Sequence, residues 1–181
     1  MTLQIFGTIM TNFLENAFEE ELHSVGKKLV KATVDLFHTI LEELRPTPAK
    51  PHYTFNMRDI SKVFQGMLMM DKRRVVTKVD LGRMWVHENQ RVFGDRLVSD
   101  ADKSWLLETL EKYMEQETDM KGADLWKDKP EVICTDFMVP GAEIKVYEEV
   151  NKEELQVSVC MCICICICMC MCVCVSMCMC V

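Results

Sequence analysis

Residues 46–70 read PTPAKPHYTFNMRDISKVFQGMLMM, a proline-rich segment that leads directly into an apolar pattern of helical period. Each proline fixes its own φ and pushes the residue before it out of the helical region, so the chain stays extended until Asn56. Asparagine is a favourable N-cap, and apolar residues follow it at helical spacing: Ile60, Val63, Phe64, Met67 and Leu68. The segment therefore predicts a helix from about Met57 to Met70, with Arg58 and Asp59 in its first turn.

The flanking sequence predicts four more amphipathic helices. They are a helix over 3–13, a helix capped by Ser24 that stops at Arg45, a helix capped by Thr77 that runs to about Leu97, and a helix capped by Ser99 or Asp100. Each has one apolar stripe that must find a partner, so together they predict a mainly α chain that folds as a small helical bundle. After Thr118 the pattern becomes an irregular polar connector, with a short strand predicted at 133–137.

Four stretches of the chain resemble one family. They are residues 46–70, TLQIFGTIM at 2–10, RMWVHENQRVFGDRL at 83–97 and CTDFMVPGAEIKVYEEV at 134–150. In the order of the chain they resemble the axonemal dynein heavy chains: the end of the core domain and the lid of the third AAA+ module, and then the connector toward the fourth module. The resemblance covers residues 1 to about 156 and agrees with the helical bundle that the apolar patterns predict.

The resemblance implies a function for the protein of which this sequence would be a fragment. That parent is an ATP-driven, minus-end-directed microtubule motor of the ciliary or flagellar axoneme, with ATP or ADP and Mg²⁺ as its cofactors. Within it, this piece would act as the lid and coupling element of an AAA+ module and would not be active alone. Its partners would be the neighbouring AAA+ modules, with dynein intermediate and light chains and microtubules bound only by the parent.

Arg58 is the candidate nucleotide-sensing residue. AAA+ lids commonly place an arginine near the start of a lid helix, where it reaches the terminal phosphates, and a planar guanidinium that is always charged suits this task. A cation in the first turn opposes the helix dipole, which also favours a role beyond helix stability. The alternative is an ordinary ion pair between Arg58 and Asp59, or another carboxylate, on a solvated helix end.

The remaining polar candidates have structural interpretations. Six residues on the helix that follows Thr77 predict a polar cluster that fixes this helix: Trp85, His87, Glu88, Arg91, Asp95 and Arg96. The pairs four residues apart within it are His87 with Arg91 and Arg91 with Asp95. His52 and Tyr53 precede the Asn56 cap, where they either contact a nucleotide base or, as we favour, pack the loop.

Several motifs are absent from the sequence. It has no G-x-x-x-x-G-K-[ST] phosphate loop, no carboxylate run after an apolar strand that would hold Mg²⁺, and no second histidine after His87-Glu88 at metalloprotease spacing. The chain is therefore predicted to have no catalytic site, no metal site and no cofactor of its own.

Charge and cysteine usage further limit the class of protein and its cellular compartment. The net charge is −7, and every charged residue lies within 1–156, which argues against a dedicated nucleic-acid-binding protein. Cys134 is the single cysteine of that part, as expected in a reducing compartment. The first 14 residues lack the basic start and small-residue cleavage site of a secretory signal. These features are those of a protein in a reducing compartment, and the resemblance to dynein heavy chains implies a location in the cytoplasm and cytoskeleton, with no membrane partner.

The last 25 residues, VSVCMCICICICMCMCVCVSMCMCV, carry ten of the eleven cysteines at nearly every second position. A membrane-spanning helix would have aromatic and basic flanks, and a metal–thiolate or disulfide framework would need turns. Val, Cys, Met and Ile are the residues that an alternating TG/TA repeat encodes, so we interpret 157–181 as a non-native low-complexity tail translated from an intron. The predicted domains are a lid-like bundle at 1–118, a connector at 119–156 and this tail.

Two other functions compete with the dynein interpretation. The first is an independent small helical adaptor whose cysteine-rich tail binds a membrane or a metal. The second is the lid of some other AAA+ ATPase.

Overall fold

The computed structural model describes residues 2–118, 122, 126, 132–138 and 146–160. Five α-helices form most of this part: α1 Thr2–Ala17, α2 Glu20–Glu43, α3 Met57–Met67, α4 Lys78–Val92 and α5 Asp100–Thr118. A 3-10 turn at Gly94–Arg96 follows α4, and two short strands, β1 Cys134–Thr135 and β2 Glu148–Glu149, pair antiparallel. Residues 152–160 are helical. The prediction of a mainly α helical bundle is confirmed.

Capping boxes fix the starts of α3 and α4, as the two predicted N-caps require. The Asn56 side chain accepts a hydrogen bond from the Arg58 N–H, and Asp59 in turn accepts one from the Asn56 N–H. At α4, the Thr77 hydroxyl oxygen accepts a hydrogen bond from the Asp80 N–H, and the Asp80 carboxylate accepts one from the Thr77 N–H. Each box supplies side-chain acceptors for backbone N–H groups that have no carbonyl partner within the helix, so the two helices begin where the sequence predicts.

The prediction that Ser24 caps the second helix is wrong. Helix α2 begins at Glu20, and Ser24 lies inside it with its hydroxyl donating to the Glu21 carbonyl at 3.1 Å. Two glutamates in the first turn suit the positive end of the helix dipole, so the acidic cluster starts the helix instead of separating two helices. Helix α3 ends at Met67 and α4 at Val92, both earlier than predicted.

Helix α2 is the centre of the bundle. It contacts α1, α3, α4 and α5, and its buried face runs from Leu22 to Ile40. The fully buried Trp85 of α4 donates its indole N–H to the Thr33 hydroxyl of α2 at 2.8 Å. Helix α1 reaches α3 through stacked rings of Phe6 and Phe64, whose centroids are 4.6 Å apart. One continuous apolar core therefore joins all five helices.

The strand pair, here called the connector ribbon (residues 132–135 and 146–150), lies against α4. Cys134 pairs with Glu149 and Thr135 with Glu148, and the Val150 N–H donates to the Ile133 carbonyl at 2.8 Å. The predicted strand at 133–137 is thus present, although only two residues long. Among the described residues, no helix is long and apolar enough to cross a membrane. The tail from 161 onward lies outside the described residues.

Candidate functional site

The N-terminal end of α3 presents Arg58 at the protein surface. The Arg58 backbone N–H is held by the Asn56 side chain at 2.9 Å, which fixes the first turn and therefore the direction in which the side chain leaves the helix. The residue is exposed. Within the part of the chain that the structure describes, no hydrogen bond or ion pair occupies the Arg58 guanidinium. An uncompensated cation is therefore displayed at a rigid helix start.

Asp59, the acidic neighbour of Arg58, is buried and is held by Arg96. The Arg96 guanidinium donates to both carboxylate oxygens of Asp59, at 3.1 Å for the Nη1 contact, and also reaches the Thr54 carbonyl at 3.2 Å. Lys62 adds a second positive charge 3.7 Å from the same carboxylate. The alternative in which Arg58 pairs with Asp59 is therefore not the arrangement found.

The environment of Asp59 lowers the pKa of its carboxyl group below the ordinary value of 3.8. Burial opposes this shift by penalising the charge, but the hydrogen bonds from Arg96 and from the Asn56 N–H, together with the nearby positive charges, outweigh it. The same direction holds for Asp102, whose pKa is lowered by hydrogen bonds from Lys50 and Tyr53. The surroundings of both groups thus stabilise the charged carboxylate relative to the protonated acid.

These pKa shifts predict that the chain loses stability in acid. A carboxyl group with a lowered pKa in the folded state contributes stability that is complete above the unfolded value of 3.8 and disappears as the pH falls through the folded value. We expect the urea midpoint, followed by far-UV circular dichroism, to fall between about pH 4 and pH 2. Asp59→Asn should have a lower midpoint at pH 7 and a shallower decline in acid. An equal decline in both proteins would contradict this assignment.

The loop before α3 is braced by Tyr53. This side chain is buried, donates its hydroxyl hydrogen to Asp102 at 2.8 Å, and accepts the Val98 N–H at 3.0 Å. Lys50 forms an ion pair with the same Asp102 carboxylate. The exposed His52 ring lies 3.2 Å from the Arg96 carbonyl. The interpretation that Tyr53 packs the loop is confirmed, and the loop that precedes Arg58 is fastened to the start of α5.

Five of the six residues of the predicted polar cluster lie in three separate places, and the sixth, Asp95, lies apart from them. Trp85 faces α2, whereas Arg96 reaches α3 through Asp59. His87, Glu88 and Arg91 form a group against the connector ribbon, in which Arg91 donates to Glu88 at 2.6 and 2.9 Å. Asp95 is exposed. The helix is thus fixed by polar contacts, but to three different neighbours instead of through one cluster.

The structure gives several residues roles that the sequence predictions above do not include. Asp59 lies three residues after Asn56, a spacing that marks a capping box and could have been recognised. Tyr147, Asp102 and Glu149 each pair with residues more than 45 positions away, and no sequence pattern indicates such contacts. Their pairings therefore could not be predicted from the sequence.

An open concavity of about 660 Å³ lies between α4, α5 and residues 132–133. His87 and Arg91 line it, but His87 is engaged by the Val132 carbonyl and Tyr147, and Arg91 by Glu88. Within the described ranges, no three histidine, cysteine or acidic side chains come together as a metal site would need. The concavity does not carry a constellation for catalysis, and Arg58 is the better candidate for contact with a ligand.

Comparisons with known proteins agree with this architecture. The AAA+ lid domain family matches residues 29–129. Dynein axonemal heavy chain 1 of Homo sapiens is 41% identical over 168 residues, which cover 83% of this chain and 4% of the relative. Dynein axonemal heavy chain 2 of Mus musculus is 42% identical over 148 residues, or 82% and 3% respectively. The dynein-1-beta heavy chain of the flagellar inner arm I1 complex from Chlamydomonas reinhardtii is 32% identical over 149 residues, or 81% and 3%.

The chain therefore spans only about 3–4% of the length of these relatives. The family match covers more than half of the chain and includes α3, α4 and α5 completely. On this basis the chain belongs to the AAA+ lid domain family, as a segment of a dynein heavy chain of the axonemal type.

Proposed function

We propose that residues 1–118 form the lid of the third AAA+ module of an axonemal dynein heavy chain and that Arg58 contacts the terminal phosphates of the nucleotide. The observation that carries this proposal is that Asp59, at the start of α3, pairs with Arg96 and not with the neighbouring Arg58. Asp59 is neutralised by Arg96, while Arg58 is exposed on a capped helix and its guanidinium has no partner among the residues that the structure describes. A free guanidinium beside an occupied carboxylate can bind a phosphate without first breaking an ion pair.

The physical effect of such contact would be to couple nucleotide state to lid position. Phosphate that binds Arg58 only when the lid is closed stabilises the closed arrangement by that difference in affinity. A guanidinium fits this task because it presents several donors in a planar fork and does not lose its charge. The nucleotide and its Mg²⁺ would be held by other parts of the heavy chain, since this sequence has no phosphate-binding loop.

The remaining functions belong to the whole heavy chain and are proposed from the resemblance of this chain to the dynein heavy chains. They are ATP hydrolysis, minus-end-directed movement on microtubules, association with intermediate and light chains, and location in the ciliary or flagellar axoneme. Residues 119–156 would connect this lid to the next module, and 157–181 would be the non-native tail. The dynein relatives, which match over most of the chain, favour this function over the independent adaptor.

The proposal predicts that Arg58→Ala in the complete heavy chain weakens nucleotide binding at this module by about tenfold, because one charge-assisted contact to phosphate is lost. The measurement is the dissociation constant of a fluorescent ATP analogue in a motor whose other modules carry phosphate-loop substitutions that block nucleotide. Arg73→Ala is the matched control, since Arg73 is an exposed arginine just beyond the other end of α3. Equal affinity in Arg58→Ala, Arg73→Ala and the parent motor would overturn the proposal.

A further inference from the structure

The connector ribbon is fastened to the lid by a set of charged contacts. Arg83 of α4 donates to both carboxylate oxygens of Glu149, at 2.8 and 2.9 Å. Arg74, in the turn after α3, forms an ion pair with Glu148 at 2.6 Å. Paired contacts of a guanidinium with a carboxylate fix orientation as well as distance. The ribbon is therefore held at its outer edge in a defined position against α4.

Tyr147 is the buried centre of this attachment. Its side chain is 8% exposed, and its hydroxyl donates to the fully buried Glu88 carboxylate. The His87 ring lies 3.1 Å from the same hydroxyl and, through its other nitrogen, 2.9 Å from the Val132 carbonyl of the opposite ribbon strand. Met70 pairs with Tyr147 through a backbone bridge. Both strands of the ribbon and the end of the α3 segment thus meet at one residue, Tyr147.

The environment keeps the Tyr147 hydroxyl protonated. Burial raises its pKa first, and the hydrogen bond to the negatively charged Glu88 raises it further. The hydroxyl therefore remains a donor at every pH at which the protein works. The position of the Glu88 carboxylate is also fixed, because Arg91 donates to its other oxygen and Gly66 of α3 lies directly against it.

Helix α3 joins this attachment to the proposed nucleotide contact. Arg58 lies at its start, and Gly66, Met70 and the Glu88 carboxylate lie at its far end. Eleven helical residues rise by about 16 Å, so the two ends are separated by one rigid element. A displacement of the start of α3 must therefore reach the surface on which the ribbon is held.

We propose that Tyr147 is a positioning residue that makes the connector ribbon move together with the lid, so that the nucleotide state read by Arg58 reaches the segment leading to the next module. This inference rests on the proposed function of Arg58. The contact involves no ligand. It is a hydrogen bond from the buried Tyr147 phenol to the buried Glu88 carboxylate, across the boundary between lid and connector. The role differs from that of Arg58, because Tyr147 would not contact the nucleotide.

The test is Tyr147→Phe in the complete heavy chain, with amide hydrogen exchange measured over 132–138 and 146–150 with and without ATP. We expect nucleotide affinity within twofold of the parent protein, while the change in exchange rate that ATP causes in the ribbon falls at least fivefold. Tyr113→Phe is the matched control. This change also removes a partly buried tyrosine hydroxyl, which forms a 2.7 Å hydrogen bond with Thr39. That bond joins α2 and α5 and does not involve the ribbon.

The outcomes separate this inference from the proposed function. If Tyr147→Phe retains the full ATP-dependent change while Arg58→Ala weakens nucleotide binding, the positioning role is overturned and the role of Arg58 stands. If Arg58→Ala leaves nucleotide affinity unchanged, the proposed function itself fails. If Tyr147→Phe also loses protection of α2 and α4, Glu88→Gln replaces it, because this change removes the negative charge of the group that accepts the Tyr147 hydroxyl hydrogen but keeps the shape of the side chain. A ribbon that still responds fully to ATP in Glu88→Gln then overturns the inference.

Discussion

Replacing Arg91 with alanine is expected to lower the free energy of unfolding by about 3 kcal/mol, although the Arg91 side chain is 44% exposed. The reason lies in its partner. Glu88 is fully buried, and Arg91 supplies the only positive charge that the structure's described residues place in hydrogen-bonding contact with it. Without Arg91, a buried carboxylate keeps the Tyr147 hydroxyl but loses its counter-ion, which is among the costliest changes a side-chain deletion can make.

The measurement is urea denaturation of the chain at pH 7, followed by far-UV circular dichroism. Arg73→Ala serves as the control, because an exposed arginine without such a partner should change stability by no more than about 0.5 kcal/mol. The double variant Arg91→Ala with Glu88→Gln should recover most of the loss, since a neutral amide needs no cation. A double variant as unstable as the sum of its single changes would show that charge burial is not the cause.

Replacing Gly66 with alanine is expected to destabilise the chain by about 2 kcal/mol. In the interior of a helix this change ordinarily stabilises by up to about 1 kcal/mol, because alanine loses less backbone entropy. At Gly66, however, an added Cβ would lie 1.9 Å from Oε2 of Glu88. That oxygen cannot swing away, because Arg91 holds it and Tyr147 holds the second carboxylate oxygen.

Gly7→Ala provides the matched control. Gly7 is also inside a helix, but nothing lies within 4 Å of the position that its Cβ would occupy. We expect this variant to unfold at slightly higher urea than the parent chain, by the gain in helix propensity alone. Two glycine replacements of opposite sign in the same urea experiment would identify the α3–α4 approach as the cause, whereas stabilisation by both would contradict it.

The sequence predicts local features of this fold well and distant polar pairs poorly. Asn56 and Thr77 mark helix starts because a cap acts on residues two and three positions away, which the sequence displays directly. The apolar stripes predict the bundle for the same reason. Ser24 misleads because serine, although favoured at helix caps, is also tolerated inside a helix, where its hydroxyl can donate to a preceding carbonyl as it does here.

The candidate site shows the same limit. The position of Arg58 at a helix start follows from the sequence, but the sequence does not show that the neighbouring Asp59 pairs with Arg96, 37 residues away, and not with Arg58. Likewise, Glu88 and Tyr147 are 59 residues apart, and neither charge nor spacing predicts that they meet. Such contacts result from how the helices cross, and that packing is decided by the complementarity of whole surfaces.

The hydrogen bond between the Trp85 indole and Thr33 has a consequence for how the bundle folds. The helices that are adjacent in sequence, α1 with α2 and α3 with α4, can meet by closing short loops, whereas this bond joins residues 52 positions apart. Contacts between distant residues form slowly because a longer loop must be closed before they are gained. In a variant whose Trp105 and Trp126 are replaced with phenylalanine, we therefore expect the emission of Trp85 to change when these two helix pairs join and not when either pair forms.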